Sequence, residues 1–194
     1  MEGFFALATG LGLATASGLN AYLPLLTIGV FARMGWIQLA EPFGFLTNIF
    51  VLLIIAALAA LNFVGDKMPA VDSVLHAGGL VISPIAGAIL ALASQGDVAT
   101  VSPLLVGLAG IVAAGGTHVA RSAIRPLVTA ATGGTGNAVL SVIEDAVAFV
   151  LSFLAILLPV VALVSVVVLA FVIFRAYRHA AKVWQQREVV SGKP

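Results

Sequence analysis

The sequence predicts an all-α, polytopic transmembrane helix bundle, from its composition, the length of its apolar runs and the position of its charges. Of its 194 residues, 61% are hydrophobic and only 9% are charged, whereas soluble domains carry about 25% charged residues. The apolar residues form runs of about 20, the length a helix needs to cross ~30 Å of hydrocarbon. The basic residues lie mostly between or after these runs, as is usual in membrane proteins.

Six membrane segments are predicted, and together they form a single domain over residues 1–180. The segments are residues 4–31, 45–64, 74–92, 104–124, 139–158 and 160–174. A tight turn is predicted at Pro159, because one helix over the last two segments would be about 50 Å long. Residues 181–194 are predicted to form a cytoplasmic C-terminal tail.

Several segments contain residues that interrupt helices, so some are predicted to be broken or re-entrant. The first is too long and contains Asn20 and Pro24, the third contains Gly78 and Pro84, and the fourth contains Gly115. Non-helical backbone inside a membrane is stable only where protein or a wet cavity surrounds it. Transporters build binding sites from such breaks, so a central polar site is predicted.

A division into three plus three segments would give two halves of inverted topology. Residues 18–25 and 116–127 share a loose pattern of small residues that ends in Pro-Leu. This similarity is either the trace of an inverted repeat or a coincidence, and the sequence leaves both open.

The basic residues predict the orientation. With both termini in the cytoplasm, that side receives Lys67, Arg121, Arg125, Arg175, Arg178, Lys182 and Arg187. The opposite side receives Arg33, together with Glu41 and Asp97. The positive-inside rule therefore predicts a multi-pass protein of the inner (cytoplasmic) membrane with cytoplasmic termini.

The first candidate cluster follows the second segment. Asn62 and Asp66 are four residues apart, as are Asp72 and His76, so each pair shares one helical face. Asp66 and Lys67 either meet water in a loop or join the polar site. Asp72 and His76 lead directly into apolar sequence and are predicted to join it.

The second cluster is a stripe of His118, Arg121 and Arg125 in the fourth segment. Arginine is suited to binding carboxylate or phosphate. His118 is deep enough to predict a role in the site. Arg121 either contacts the site or anchors the helix, and Arg125 is predicted to extend to the cytoplasmic interface.

The third cluster places acids in an otherwise apolar helix, with Asn137, Ser141 and Asp145 at steps of four residues and Glu144 beside them. Charged residues at membrane depth are costly and usually face protein or a water-filled path. The acids either pair with basic residues and hold the bundle together or form a proton or cation site.

Small residues predict two helix-packing faces. They are Ala8, Gly12, Ala16 and Asn20 in the first segment, and Ala109, Ala113 and Thr117 in the fourth. Asn20 is included in the predicted site as a hydrogen bonder between helices.

Motifs of soluble enzymes are absent from the sequence. There is no cysteine, no glycine-rich phosphate loop, no His-Glu-x-x-His motif and no Gly-x-Ser-x-Gly elbow. We therefore predict a protein that is not an enzyme, with no cofactor and no nucleic-acid partner. Paired carboxylates are weak evidence for catalysis, and they leave an intramembrane enzyme as a further alternative. Two histidines with nearby acids are too few to predict a metal site.

Five stretches resemble an uncharacterised prokaryotic membrane-protein family, domain of unknown function 4126. They include Gly18-Leu-Asn-Ala-Tyr-Leu-Pro-Leu-Leu, Asp66-Lys-Met-Pro-Ala-Val-Asp72 and Ser83-Pro-Ile-Ala-Gly-Ala, followed by residues 118–121 and 137–145. The resemblance covers most of the chain and implies a membrane protein, but it carries no established activity.

The favoured hypothesis is a small transporter or channel, linked to protons or ions, with an intramembrane polar site. The predicted site consists of Asn20, Asp66, Asp72, His76, His118, Arg121, Asn137, Ser141, Glu144 and Asp145. One alternative is a lipid or polyprenyl-phosphate carrier or scramblase, in which Arg121 and Arg125 bind phosphate. Another is a non-transporting scaffold subunit with dry, fully paired charges. The predicted partners are membrane lipids and an ion or small anionic solute, and a homo-oligomer stays open.

Overall fold

The structure is a computed structural model that describes residues 2–66, 69–96 and 101–168, together with residues 171, 174, 175 and 178. For residues 69, 70, 72 and 73 the description covers the backbone only. The described residues form helices and no strand, which confirms the predicted fold class. Lys67, the side chain of Asp72 and the predicted tail over residues 181–194 lie outside the described residues.

The first predicted segment is broken in two. Helix α1 (Glu2–Leu19) ends and α2 (Tyr22–Arg33) begins around Asn20. Pro24 has no backbone N–H, so it cannot donate to the carbonyl of residue 20 as a continuous helix requires. The Asn20 side chain stabilises the break, because its Oδ1 accepts hydrogen bonds from the first two backbone N–H groups of α2, at 3.0 and 3.2 Å.

A 3-10 helix (Phe43–Thr47) leads into α3 (Ile49–Gly65). The side chain of Asn48 caps α3, because it accepts a hydrogen bond of 2.9 Å from a backbone N–H of the first turn. Most side chains of α3 are exposed or half-buried, so the helix lies at the edge of the bundle.

Helices α4 (Pro69–Ala93) and α5 (Pro103–Thr132) are continuous, which corrects the prediction that the third and fourth segments are broken. Pro84 lies inside α4 and Pro126 inside α5. Membrane helices tolerate proline where neighbouring groups satisfy the freed backbone. Helix α5 is about 45 Å long at about 1.5 Å per residue. It ends at Gly133, whose φ of 62° is left-handed, as is common at helix C-termini.

Helices α6 (Gly136–Leu157) and α7 (Pro159–Val168) are separated by one non-helical residue. A Cβ on Gly12 of α1 would lie 2.9 Å from Ala155 of α6 and 3.3 Å from Ala162 of α7. Both helices therefore approach the same point of α1, which agrees with the turn predicted at Pro159.

Helix α1 lies at the centre of the bundle and packs against α4, α5 and α6. Small residues permit the close contact: a Cβ on Gly10 would meet the backbone of Ala91, and one on Gly18 would meet the carbonyl of Ala114. The predicted packing face is buried throughout, at Ala8, Gly12, Ala16 and Asn20.

The buried face of α5 is displaced by one residue from the predicted one. Ala109 is exposed and Ala113 is half-buried. The buried face begins with small residues and ends in a histidine and two arginines; it consists of Gly110, Ala114, His118, Arg121 and Arg125.

Within the part of the chain that the structure describes, three helices are long and apolar enough to cross a membrane: Val74–Ala93 within α4, α5 and α6. Helices α2, α3 and α7 are shorter apolar helices. Large apolar side chains are exposed along most of these helices, an arrangement that suits contact with lipid. The chain is therefore a helical membrane protein.

The two stretches that share the Pro-Leu pattern differ in backbone structure. Residues 18–25 contain the break between α1 and α2, whereas residues 116–127 are helical throughout. This pair of stretches gives the inverted repeat no structural support.

Candidate functional site

Buried charges from α3, α5 and α6 meet beside the break between α1 and α2. We use the name charged cluster for these charged side chains together with the two buried polar side chains, Asn20 and Ser141, that form hydrogen bonds with them. Its members are Asn20, Asp66, Arg121, Arg125, Ser141, Glu144 and Asp145, none of them more than 8% exposed.

Arg121 connects three elements through its guanidinium group. Its Nε donates to Glu144 Oε2 of α6 at 2.7 Å, and its NH2 donates to Asp66 Oδ2 at the end of α3 at 2.9 Å. Its NH1 donates to the backbone carbonyl of Leu19 at 2.6 Å. Because Leu19 is the last residue of α1, Arg121 holds a carbonyl that the helix break leaves without its usual partner.

Arg125 lies one turn further along α5 and belongs to the same cluster. Its NH2 donates to Glu144 Oε2 at 2.9 Å and lies 3.8 Å from Asp66 Oδ2. The prediction that Arg125 extends to the cytoplasmic interface is wrong, because the side chain is buried and pairs with acids inside the bundle.

Asp66 is a buried acceptor rather than a solvated loop residue. It is only 5% exposed. Besides the contact with Arg121, Asp66 Oδ2 accepts a hydrogen bond of 2.8 Å from the Ser141 hydroxyl of α6. Asp66 Oδ1 accepts a long hydrogen bond of 3.3 Å from the Asn62 amide.

Asp145 of α6 connects that helix to the break between α1 and α2. Its Oδ1 accepts a hydrogen bond of 2.8 Å from Asn20 Nδ2. Asn20 therefore donates to α6 through its nitrogen while its oxygen caps α2. The side chain that stabilises the break also joins it to the acids.

Pairing accounts for the stability of so many buried charges. Removing a charge from water costs several kcal/mol, and this cost is offset only by well-placed partners and further hydrogen bonds. Asp66 and Glu144 have such partners in Arg121 and Arg125. The loss of one member would leave a buried charge without compensation, which typically costs about 3–5 kcal/mol.

The cluster lies well inside the bundle. Along α5, Arg121 is about 17 Å from the C-terminal end and about 27 Å from the N-terminal end at about 1.5 Å per residue. Arg121 and Arg125 therefore cannot count as loop charges in the predicted orientation. The orientation then depends on the basic residues outside α5.

His76 of α4 and His118 of α5 form a stacked histidine pair beside the cluster. The ring centroids are 4.9 Å apart and the rings are inclined by 30°. Ser83 Oγ lies 3.5 Å from His118 Nδ1. A Cβ on Gly79 would collide with His118 Cε1, so the glycine creates the space in which the His118 ring lies.

A cavity of about 240 Å³ separates the histidine pair from the end of α3. Its polar lining comes from three helices and the helix break, and includes Asn20, Asn62, Asp66, His76, Ser83, His118 and Arg121. His118 is 2% exposed, and its Nε2 has no hydrogen-bond partner among the described residues. The cavity is therefore lined by polar side chains with which water or a ligand can form hydrogen bonds.

The family model described as "Domain of unknown function (DUF4126)" matches residues 7–179. The chain belongs to this family. No curated protein and no solved structure matches the chain. The DUF4126 match includes both the charged cluster and the histidine pair. The description of the family assigns no function to either of them.

The structure brings together eight of the ten predicted site residues, in the cluster or around the cavity. Asn137 lies apart, in the first turn of α6, where its Nδ2 donates to Thr129 Oγ1 at 2.7 Å. The side chain of Asp72 lies outside the described residues. Within the described residues, no group of three or more His, Asp or Glu side chains is arranged to hold a metal ion.

The predicted site lacks three contributors: Asn62, Ser83 and Arg125. Asn62 shares a helical face with Asp66, four residues later. Arg125 follows Arg121 by four residues and so shares its helical face, which is a usable signal. Ser83 precedes a proline inside an apolar segment, and nothing in the sequence places it beside His118.

Proposed function

We propose that this DUF4126 protein is a small membrane transporter that couples protons to the movement of a solute through the polar cavity. The observation that carries the proposal is the cavity of about 240 Å³ beside the charged cluster, which the buried His118 helps to line. Most of the polar groups around it belong to buried or half-buried side chains, and such groups normally have hydrogen-bond partners. A cavity lined by polar side chains inside a membrane protein therefore favours a site that water or a solute occupies.

The histidine pair supports the link to protons. Imidazole gains and loses a proton near neutral pH, and two stacked rings bind a second proton less readily because like charges repel. The Asp66–Arg121 ion pair lines the same cavity. A proton on the histidine pair therefore changes the electric field at an ion pair that connects α3 to α5, which couples protonation to helix packing.

The charged cluster alone would support the scaffold alternative. That hypothesis requires dry, paired charges and no cavity. Asp66 and Glu144 are indeed paired with arginines. The cavity beside them is the feature that favours transport over a purely structural role.

The alternative of a phosphate-bearing lipid has less support. Arg121 and Arg125 are the arginines that would bind phosphate, and both donate to Glu144 Oε2. A phosphate group would have to displace a buried carboxylate from both of them. The geometry favours a ligand that leaves these pairs intact.

Proton flux in proteoliposomes tests the proposal. A pH-sensitive dye inside the vesicles reports proton movement after an external pH step, with and without a membrane potential. We expect flux in vesicles that contain the wild-type protein and none above empty vesicles for His118→Gln. The matched control is His179→Gln, which alters the third histidine and is expected to retain flux. Equal flux in His118→Gln and wild type would contradict the proposal.

We also propose that the protein lies in the inner (cytoplasmic) membrane with both termini in the cytoplasm. Lys67, Arg175 and Arg178 support this orientation, since the positive-inside rule counts charges near the ends of membrane segments. Reporter fusions at each terminus, active on only one side of the membrane, test it. A terminus found on the opposite side would contradict it.

A further inference from the structure

We infer that the cavity receives its ligand sideways from the bilayer, and that this ligand is a membrane-dissolved amphiphile with a small, uncharged, hydrogen-bonding head group. The inference rests on the proposed function, because it names the substrate class of the same cavity. Three properties of the cavity carry it: its mouth, its size and the charge of its lining.

The mouth of the cavity lies at the membrane-facing surface of α4. Val74 and Ile82 line the cavity, yet they are 71% and 41% exposed. Both belong to the part of α4 that can cross the membrane, Val74–Ala93. Two lining side chains therefore also face the surroundings of a membrane-spanning helix, which are lipid.

Gly78 leaves the surface of α4 open between these two side chains. Gly78 lines the cavity, and the nearest atom to a Cβ built on it is Ile82 Cδ1, at 3.7 Å. No side chain at this position separates the polar interior from the membrane-facing surface.

The size of the cavity suits a head group rather than a whole lipid. Its volume of about 240 Å³ corresponds to about eight water molecules at ~30 Å³ each. Pockets that enclose drug-sized molecules measure about 300–1,000 Å³. A ligand with a small polar head in the cavity and an apolar tail in the bilayer satisfies both this limit and the apolar mouth.

The lining favours an uncharged head. The two charged residues that line the cavity among those described, Asp66 and Arg121, form an ion pair of 2.9 Å. A charged head group would bring an uncompensated charge into a buried site, which is costly. An uncharged amide, carbonyl or hydroxyl group can instead form hydrogen bonds with the polar side chains that line the cavity, among them Asn62, His76 and His118.

Nitrogen-15 NMR of imidazole-labelled protein in lipid nanodiscs tests the inference directly. The chain has three histidines, and His76→Gln and His118→Gln identify the signals of the pair. Three probes share a decyl tail and differ in the head: decanamide is neutral, decyl phosphate is anionic and decylammonium is cationic. Acetamide has the neutral head without the tail.

We expect decanamide to shift the His118 Nε2 signal saturably. Half-saturation should need a concentration at least about tenfold lower than for either charged probe, a difference of about 1.4 kcal/mol. Acetamide should be weaker still, because it does not concentrate in the bilayer. A charged probe that binds as tightly as decanamide, or acetamide that binds as tightly, would overturn the inference.

A pair of matched variants tests the lateral route. Gly78→Leu places a side chain in the mouth and should weaken decanamide binding at least about tenfold. Gly116→Leu is the control, because Gly116 lies on α5 with no atom within 4 Å of a Cβ and does not line the cavity. Equal binding by the two variants would contradict entry past Gly78.

Failure of this inference is distinguishable from failure of the proposed function. If His118-dependent proton flux is present but decanamide gives no saturable shift, the substrate class is wrong and proton coupling stands. If decanamide binds as expected but no proton flux depends on His118, transport is wrong and the binding site stands.

Discussion

The charged cluster and the cavity lie side by side and share Asp66 and Arg121, but ion pairs join the members of the cluster, whereas the cavity is a space between polar side chains. In the cluster, Arg121 donates from each of its three nitrogens, and Glu144 accepts from two arginines. In the cavity, His76 and His118 lie on one side of a volume of about 240 Å³. Burial of charge alone therefore does not identify a binding site in this protein.

We propose different roles for the two regions. The cluster joins the ends of α1 and α3 to α5 and α6, so its loss should mainly destabilise the fold. The proposed function places proton exchange and ligand binding in the cavity, so substitutions there should mainly abolish flux. Substitutions on either side of this boundary test the distinction.

Glu144→Gln should have the largest effect on stability. It removes the acceptor that both arginines share and so breaks two buried ion pairs, a loss that costs about 3–5 kcal/mol. Thermal unfolding in detergent, followed by circular dichroism, measures the loss. Asn137→Ala, in the first turn of α6 and outside the cluster, is the control and should change stability by less than about 0.5 kcal/mol. Similar melting temperatures for the two variants would contradict the proposal that the cluster stabilises the fold.

Asn20→Ala should cost about 2 kcal/mol, because it removes both the cap of α2 and the hydrogen bond to Asp145. Asn48→Ala is the matched control, since Asn48 caps α3 through the same side-chain type. It should cost about 1 kcal/mol. Denaturant unfolding of both variants separates the cap from the bond to Asp145. Equal losses would mean that the Asp145 bond contributes nothing.

Gly79→Ala should displace the His118 ring, because the added Cβ would collide with Cε1. Overpacking of this kind costs about 1–3 kcal/mol, and proton flux should fall with it. Gly116→Ala adds the same methyl group in open space and should stabilise the helix by up to about 1 kcal/mol. If Gly79→Ala keeps both wild-type stability and flux, the position of the His118 ring is not critical.

His118→Gln should have the smallest effect on stability and the clearest effect on flux. The imidazole contributes one long contact of 3.5 Å to Ser83 and the stack with His76. We expect a loss below about 1.5 kcal/mol, the upper range for one neutral hydrogen bond, with flux abolished. Parallel measurement of melting temperature and flux checks both parts. A large loss of stability would place His118 with the cluster instead.

The sequence predicts those features that depend on local chemistry. The break at Asn20 follows from Pro24, which cannot complete a helical hydrogen bond. The burial of Glu144 and Asp145 follows from their position in an apolar helix. His118 and Arg121 fall on one helical face, and the structure places both beside the acids or the cavity.

The errors arise where tertiary packing decides the outcome. The predicted fourth segment ends at residue 124, which places Arg125 at the interface. In the structure α5 continues to Thr132, and Arg125 lies inside the bundle. Positions 109 and 110 of α5 both carry a small residue, Ala109 and Gly110. Residue size therefore does not indicate which of the two lies on the buried face of the helix. Pro84 is accommodated within a continuous α4, since neighbouring helices can satisfy the freed backbone groups.

The most direct test of the account is to identify the groups that exchange protons with water. Infrared difference spectra between about pH 5 and pH 8, the range in which imidazole changes charge, distinguish imidazole bands from the bands of carboxyl groups. We expect the wild-type difference spectrum to contain imidazole bands that are absent from the spectrum of His118→Gln. We expect it to contain no carboxyl band that is absent from the spectrum of Glu144→Gln. A carboxyl band that is lost in Glu144→Gln, with the imidazole bands unchanged by His118→Gln, would place the proton in the charged cluster and contradict the account.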